Sequence, residues 1–112
     1  MLRRNAKIEL LKRVPLFAHC SKKELNEVAL VADEIDMREG KALTSEGEPG
    51  REFFVLIEGS AEVRHKGRKI NTMTAGDFFG EIALVSDRPR TATVIATSPI
   101  RLLVITDRAF QS

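Results

Sequence analysis

Between Asp77 and Val94 the chain sets a glycine, a carboxylate and an arginine in one short stretch: Asp77-Phe78-Phe79-Gly80-Glu81-Ile82-Ala83-Leu84-Val85-Ser86-Asp87-Arg88-Pro89-Arg90-Thr91-Ala92-Thr93-Val94. Gly80 lets backbone approach a ligand closely or take a conformation barred to other residues. Glu81 to Val85 is a brief run of helix formers. A single helical turn there leaves its first amides unpaired and pointing outward, which makes an anion site. Glu81 supplies a fixed pair of acceptors at that turn, suited to sugar hydroxyls. Arg90 follows a proline turn, where its planar fork can grip a phosphate in two places. An anion site, a hydroxyl acceptor and an arginine together describe a phosphorylated sugar. Taken alone, Glu81 and Arg90 also fit a salt-bridged pair that closes a turn.

The elements that must position these residues begin with two helices. Ile8, Leu11 and Val14 recur at helical spacing over residues 5–14, and Pro15 ends the pattern because the residue before a proline is pushed out of the helical region. Leu16-Phe17-Ala18 is a short apolar connector. Ser21 reads as an N-cap, Glu24 completes a capping box, and Leu25, Val28, Ala29 and Ala32 form the core-facing stripe of the helix that follows. From about residue 35 turn signals arrive at short intervals, among them Glu39-Gly40, Gly47-Glu48-Pro49-Gly50, Gly59, Gly67, Gly76-Asp77 and Arg88-Pro89. Between them lie strand-like runs: Phe53 to Ile57, Ala61 to Arg64, Lys69 to Met73, Thr91 to Ala96 and Leu102 to Ile105. Phe53-Phe54-Val55-Leu56-Ile57 is continuously apolar, as in a strand covered on both faces. Thr91-Ala92-Thr93-Val94-Ile95 carries hydroxyls, so one of its faces is expected to meet something polar. Arg64-His65-Lys66-Gly67-Arg68-Lys69 reads as a solvated hairpin tip. Asp107 is an expected N-cap for a helix that opens Arg108-Ala109-Phe110. The fold class expected is α+β, mainly β: an antiparallel β-roll or jelly-roll of about eight strands behind N-terminal helices.

The stretch from Phe79 to Val94 closely resembles the phosphate-binding cassette of the cyclic-nucleotide-binding domain family. That pattern runs Phe-Gly-Glu, an aliphatic residue, Ala-Leu, a variable turn, then Pro-Arg, a small residue and Ala-Thr-Val. The sequence meets it without a gap. Upstream, Glu46-Gly47-Glu48-Pro49-Gly50 and Phe53 through Gly59 resemble the hairpin leading into the family's roll, and Pro15-Leu16-Phe17 with its helices resembles the helical subdomain. The resemblance implies one domain over residues 1–112, with helices over 1–34, the roll over 35–106, the cassette and its short helix over 79–94, and the start of a C-terminal helix over 107–112. The 112 residues are expected to be a piece of a longer parent or a naturally shortened version of one, and the lid helix of the longer protein is expected to hold the base more tightly.

By the same resemblance Glu81 accepts from the ribose 2′-hydroxyl and Arg90 pairs with the cyclic phosphate. The amides around Ile82 and Ala83 meet the phosphate's other oxygen, and Gly80 permits the close approach. Val63, Ile70 and Asn71 line the base pocket. Thr91 occupies the position where a hydroxyl is linked with tolerance for guanine as well as adenine, so it leaves the base open; the ligand expected is cAMP, with cGMP also admitted. One departure is Arg51, which stands where the family often has an acid that orients the cassette arginine; Glu52 or another acid is expected to substitute. The function implied is a regulatory sensor that relays binding through helix movement to an effector domain of the same parent protein.

Composition narrows the alternatives. A chain of 112 residues fits one domain. Trp and Tyr are absent, the net charge is +2, and the basic residues are interspersed with acids, as in Lys22-Lys23-Glu24. Neither stacking platforms nor a basic patch for nucleic acid is expected. The lone Cys20 allows no internal disulfide and reads as a small buried hydrophobe. With only His19 and His65 as histidines, a cupin-like catalytic metal triad is not expected, nor any other cofactor or catalysis. No apolar run approaches the ~18 residues of a membrane span, and the N-terminus lacks a signal core, so a cytoplasmic protein is expected without membrane contact.

Overall fold

Ile8 and Leu11 sit about one turn apart and bury one side of α1 (Arg4–Lys12). The computed structural model describes residues 3–80, 89–106 and 108. Pro15 holds Val14 extended at φ −85°, ψ 122°. It then opens a 3₁₀ turn over Pro15–Phe17, where sequence alone suggests only a connector. A proline fits the first position of such a turn because the amide it lacks would have no partner there. The second helix, α2 (Lys22–Val31), begins with the expected capping box. Ser21 Oγ accepts from the Glu24 amide at 3.1 Å, and the Glu24 carboxylate accepts from the Ser21 amide at 2.9 Å. The Ser21 amide, and then its hydroxyl, hold the Glu24 carboxyl below its ordinary value. Lys7 Nζ donates to the Ala32 carbonyl at 2.9 Å and so ties α1 to the end of α2.

The strands are β1 (Asp33–Met37), β2 (Ala42–Thr44), β3 (Glu52–Glu58), β4 (Ala61–His65), β5 (Arg68–Met73), β6 (Phe78–Phe79), β7 (Thr93–Ala96) and β8 (Ile100–Thr106). Among the described residues they form two antiparallel four-stranded sheets, ordered β1-β8-β3-β6 and β2-β7-β4-β5. This is the mainly-β roll that the turn spacing predicts. Three strands, β1, β2 and β6, are absent from the runs read in the sequence. Two of them are only two or three residues long, and β1 is the polar run Asp-Glu-Ile-Asp-Met, which takes its shape from pairing with β8. Strand β7 begins at Thr93 rather than Thr91, which leaves Arg90 and Thr91 outside the ladder. Asp107 and residues 109–112 lie outside the described residues.

β3 and β8 carry both halves of the core. Phe53 and Val55 point to one side of the first sheet, with Leu103 and Ile105, and pack against Ile8, Leu11, Phe17, Leu25 and Ala29 of the helical layer. Phe54 and Leu56 point to the other side, with Leu102 and Val104, and meet Ala61, Met73, Val94 and Ala96 of the second sheet. The alternation is that of any strand, with apolar matter on both faces, so the run in β3 is continuously apolar. Opposite partners in the register share a face: Phe53 with Ile105, Phe54 with Val104, Val55 with Leu103.

Replacing Phe53, which is fully buried and meets Phe17 edge-on at 5.9 Å, with Ala will cost about 3–5 kcal/mol in urea unfolding. Leu30→Ala on the exposed side of α2 will stay within about 0.5 kcal/mol of the parent. Equal losses at both positions would contradict this packing.

Candidate functional site

Residues 89–92 lead into β7, and the first two of them, Pro89 and Arg90, are fixed by bonds to the turn that follows β2. Pro89 forms an isolated bridge with Pro49. The Arg90 amide donates to the Glu48 carbonyl at 2.9 Å, and the Arg90 carbonyl accepts from the Gly47 amide at 2.8 Å. The Glu46–Gly50 turn therefore serves as the mount for Arg90.

The Arg90 side chain lies half-buried in a slot with a glycine on either side. A Cβ on Gly50 would stand 2.2 Å from its Nε, and a Cβ on Gly80 would stand 2.5 Å from its Nη1. Gly80 also has φ +86°, a conformation that side-chain-bearing residues avoid. Arg90 Nη2 donates to the backbone carbonyl of Glu52 at 2.6 Å, and Cζ stands 5.9 Å from the centre of the Phe54 ring. Phe54 in turn stacks on Phe79, its partner across β3 and β6, with centroids 4.8 Å apart. Burial lowers the pKa of the guanidinium from its ordinary value, and the attraction of Glu52 offsets only part of that effect. A cation held out of water with incomplete compensation is a site for an anion. Where Arg51 departs from the family pattern, it is the next residue's carbonyl that takes the hydrogen bond, with the Glu52 carboxylate acting at longer range.

Arg90 opens onto a pocket of about 400 Å³. Val63, Ile70, Met73, Phe79 and Val94 form its apolar wall, and Thr44, Gly80, Thr91 and Ala92 complete it with Pro89 and Arg90. Such a volume, largely apolar with a few convergent polar groups, suits a small organic ligand that bears one anionic group. Of the residues singled out from sequence, Gly80, Arg90, Thr91, Val63 and Ile70 thus come together around one cavity. Glu81, Ile82 and Ala83 lie outside the described residues. Asn71 stands opposite Val63 in the β4–β5 register, exposed, with Oδ1 accepting from the Thr72 amide, and it does not line the pocket. Pairing steps from Val63–Asn71 to Arg64–Lys69, which makes Ile70 the extra residue of a bulge. The bulge accounts for a 61%-exposed isoleucine at the pocket wall.

Sequence reasoning missed Gly50, the Glu52 carbonyl, Phe54, Thr44 and Met73. Gly50 lies in the Glu46–Gly50 motif and was visible there as a turn signal only. Nothing local marks Thr44, which comes to the pocket through β2–β7 pairing with residues about 50 positions away. Among the described residues, no group of three His, Cys, Asp or Glu side chains could hold a metal ion, and no helix is long and apolar enough to cross a membrane.

The family model of the cyclic nucleotide-binding domain matches residues 34–112. The cAMP-dependent protein kinase regulatory subunit of Mycosarcoma maydis is 42% identical over 121 residues, covering 96% of this chain and 22% of that protein. This relative and two further cAMP-dependent protein kinase regulatory subunits, of Yarrowia lipolytica and Hypocrea atroviridis, are much longer, and the chain spans 22–28% of their length. The regulatory domain of Toxoplasma gondii PKA, solved with cAMP, superimposes with a TM-score of 0.81 at 29% identity, over 97% of this chain and 44% of that one. A cyclic nucleotide-binding-like protein from Brucella abortus reaches a TM-score of 0.88 over 95% of both chains; at 24% identity it bears on the fold alone.

The slot makes its own prediction. Gly50→Ala will leave the protein folded, because the clash is with a flexible side chain, but it will drive the Arg90 guanidinium out toward water. The Arg90 Nε–H resonance will shift and exchange faster with solvent. Gly80→Ala will also displace the guanidinium, and it will cost stability besides: about 1–2 kcal/mol of backbone strain at its positive φ, and a Cβ that would stand 2.8 Å from the Glu52 carbonyl. An unmoved Nε–H resonance in Gly50→Ala would show that the guanidinium does not occupy the slot.

Proposed function

The chain belongs to the cyclic nucleotide-binding domain family, and from that premise we propose that its pocket binds a cyclic nucleotide, cAMP first and cGMP second, as a regulatory sensor. The observation that carries the proposal is Arg90: a half-buried guanidinium whose desolvation Glu52 offsets only in part, aimed into an apolar cavity of about 400 Å³. A cyclic phosphate supplies the missing negative charge and can take two N–H bonds from one arginine. The resemblance of the cassette supports the remaining roles. Glu81 accepts from the ribose 2′-hydroxyl, the amides of Ile82 and Ala83 meet the second phosphate oxygen, and Gly80 keeps the backbone close. Val63 and Ile70 flank the base, with Asn71 near them, and the Thr91 hydroxyl meets a purine edge. The relatives named for cAMP dependence, and the neighbours solved with cAMP, favour adenine.

For a sensor, the ligand must prefer one arrangement of the protein over another. Arg90 supports such a preference because its present partner, the Glu52 carbonyl, belongs to β3, whose other face carries the helical layer. A phosphate that draws the guanidinium away from Glu52 acts on the strand against which α1 and α2 pack. The effector that reads this movement is a domain of the parent protein, which we place in the cytoplasm. The domain acts by binding rather than catalysis, and the ligand is its only small-molecule requirement.

Titration with cAMP, cGMP and AMP, followed by amide NMR, tests the proposal. The cyclic nucleotides will shift the resonances of residues 79–94 and of Val63 and Ile70, and AMP will do so only at far higher concentration. Arg90→Ala will weaken cAMP binding by about 10- to 150-fold, the range for a charge-assisted bond of about 1.5–3 kcal/mol, without loss of the fold. Undiminished binding by Arg90→Ala would reject the site, and the absence of shifts with either cyclic nucleotide would reject the function.

A further inference from the structure

The segment Arg90 to Ala92 carries pocket residues but lies outside the sheet ladder, and its three consecutive carbonyls are each held by a different group. The Arg90 carbonyl takes the Gly47 amide at 2.8 Å. The Ala92 carbonyl takes the Thr44 hydroxyl at 3.2 Å. The Thr91 carbonyl pairs with His65 Nδ1 at 2.9 Å, from the far end of the β4–β5 hairpin. A carbonyl can only accept, so Nδ1 carries the proton.

His65 is itself secured. Glu46 Oε2 stands 3.5 Å from the same Nδ1, while Oε1 accepts from the Lys66 amide at 2.8 Å. The Glu46 amide donates to Thr93 Oγ1 at 2.9 Å, at the start of β7. Lys66 and Gly67 both have positive φ, +52° and +78°, as a tight two-residue hairpin requires. Lys66 takes that conformation despite its side chain, and its amide is held there by Glu46. Around the imidazole, Glu46 supplies negative charge from the β2–β3 turn, Arg68 lies opposite on β5, and Arg64 and Lys66 flank it in sequence. The basic run that reads as a solvated tip is therefore bonded through His65 and Lys66 to the frame of the pocket.

The geometry points to His65 as a positioning residue for the ligand site: its Nδ1–H, buttressed by Glu46, sets the Thr91–Ala92 peptide and with it the direction of Thr91 and Arg90. His65 does not line the cavity, so it acts only through that peptide. The inference rests on the cyclic-nucleotide reading above for its effect on binding, and on the hydrogen bond alone for its effect on the ligand-free protein.

Three measurements separate the two. In the ligand-free protein, a long-range ¹⁵N–¹H spectrum of His65 will show a protonated Nδ1; a bare Nδ1 would overturn the inference without recourse to any variant. His65→Phe removes the donor, and the Ala92 amide, which shares a peptide with the Thr91 carbonyl, will shift; His65→Asn places an amide N–H near the former Nδ1 and will bring it back. In calorimetry with cAMP, His65→Phe will bind about five- to tenfold more weakly, the worth of one ordinary hydrogen bond, and His65→Asn will recover to within about threefold of the parent. Equal affinity in His65→Phe and parent, or equal loss in the Phe and Asn variants at matched melting temperature, would overturn the positioning role. A parent that binds no cAMP would defeat the functional reading instead, and the Ala92 amide would still decide the hydrogen bond.

Discussion

A guanidinium partly withdrawn from water is the constraint around which the second half of this molecule is arranged. Burial disfavours its charge, and the Glu52 carbonyl, the Phe54 face and the more distant Glu52 carboxylate restore part of what water gave. Each partner demands something of the backbone. The carbonyl is reached only if residues 50 and 80 bear no Cβ. The Phe54 face is available only because Phe54 stacks on Phe79 across β3 and β6. The bonds between residues 47–48 and Arg90 then bring the arginine's own backbone to the slot. Remove the arginine and Gly50 loses its packing reason to be there, whereas Gly80 keeps its positive φ and a Glu52 carbonyl that a Cβ would meet at 2.8 Å.

β3 makes that local arrangement a property of the whole domain. Its odd-numbered residues face the helices and its even-numbered ones face the interior of the roll, where Phe54 underlies Arg90. The strand is also central in its sheet, with β8 on one side and β6 on the other. A strand so enclosed cannot bend freely, because its side chains are packed at the density of a solid on both faces. Displacement at the Glu52 end must therefore be taken up by movement of the strand as a unit or by the layers that cover it. The helices are the outer of those layers and have solvent behind them, as the exposed Leu30 of α2 shows.

The legibility of these features in sequence follows the range of the interactions that create them. The capping box at Ser21 and Glu24 spans three residues, and the structure reproduces it bond for bond. The buried run in β3 was legible because burial on both faces leaves its mark on every residue in turn. By contrast, β1 is polar and pairs with β8 some 65 residues later, so no local pattern announces it. His65 shows the same limit at the site: its contact with Thr91 spans 26 residues and joins a basic run to a loop. Ile70 was placed at the pocket by resemblance, but the reason it differs from Asn71 is a bulge, set by cross-strand register rather than by either side chain.

The division of labour within the pocket follows from the same chemistry. Its polar groups are unevenly committed: the Thr44 hydroxyl is spent on the Ala92 carbonyl, whereas Thr91 is exposed at the rim. The rest of the wall is hydrocarbon, which fits a flat ring by shape and cannot strongly distinguish rings of the same outline. The anionic end of a ligand meets a desolvated cation, which distinguishes charge from neutrality by far more. On the proposed reading, affinity is therefore anchored at the anionic end of the ligand, and the polar group left to tell one purine from another is that of Thr91 at the wet edge. Thr91 is held at that edge through its own carbonyl, which is bonded to His65.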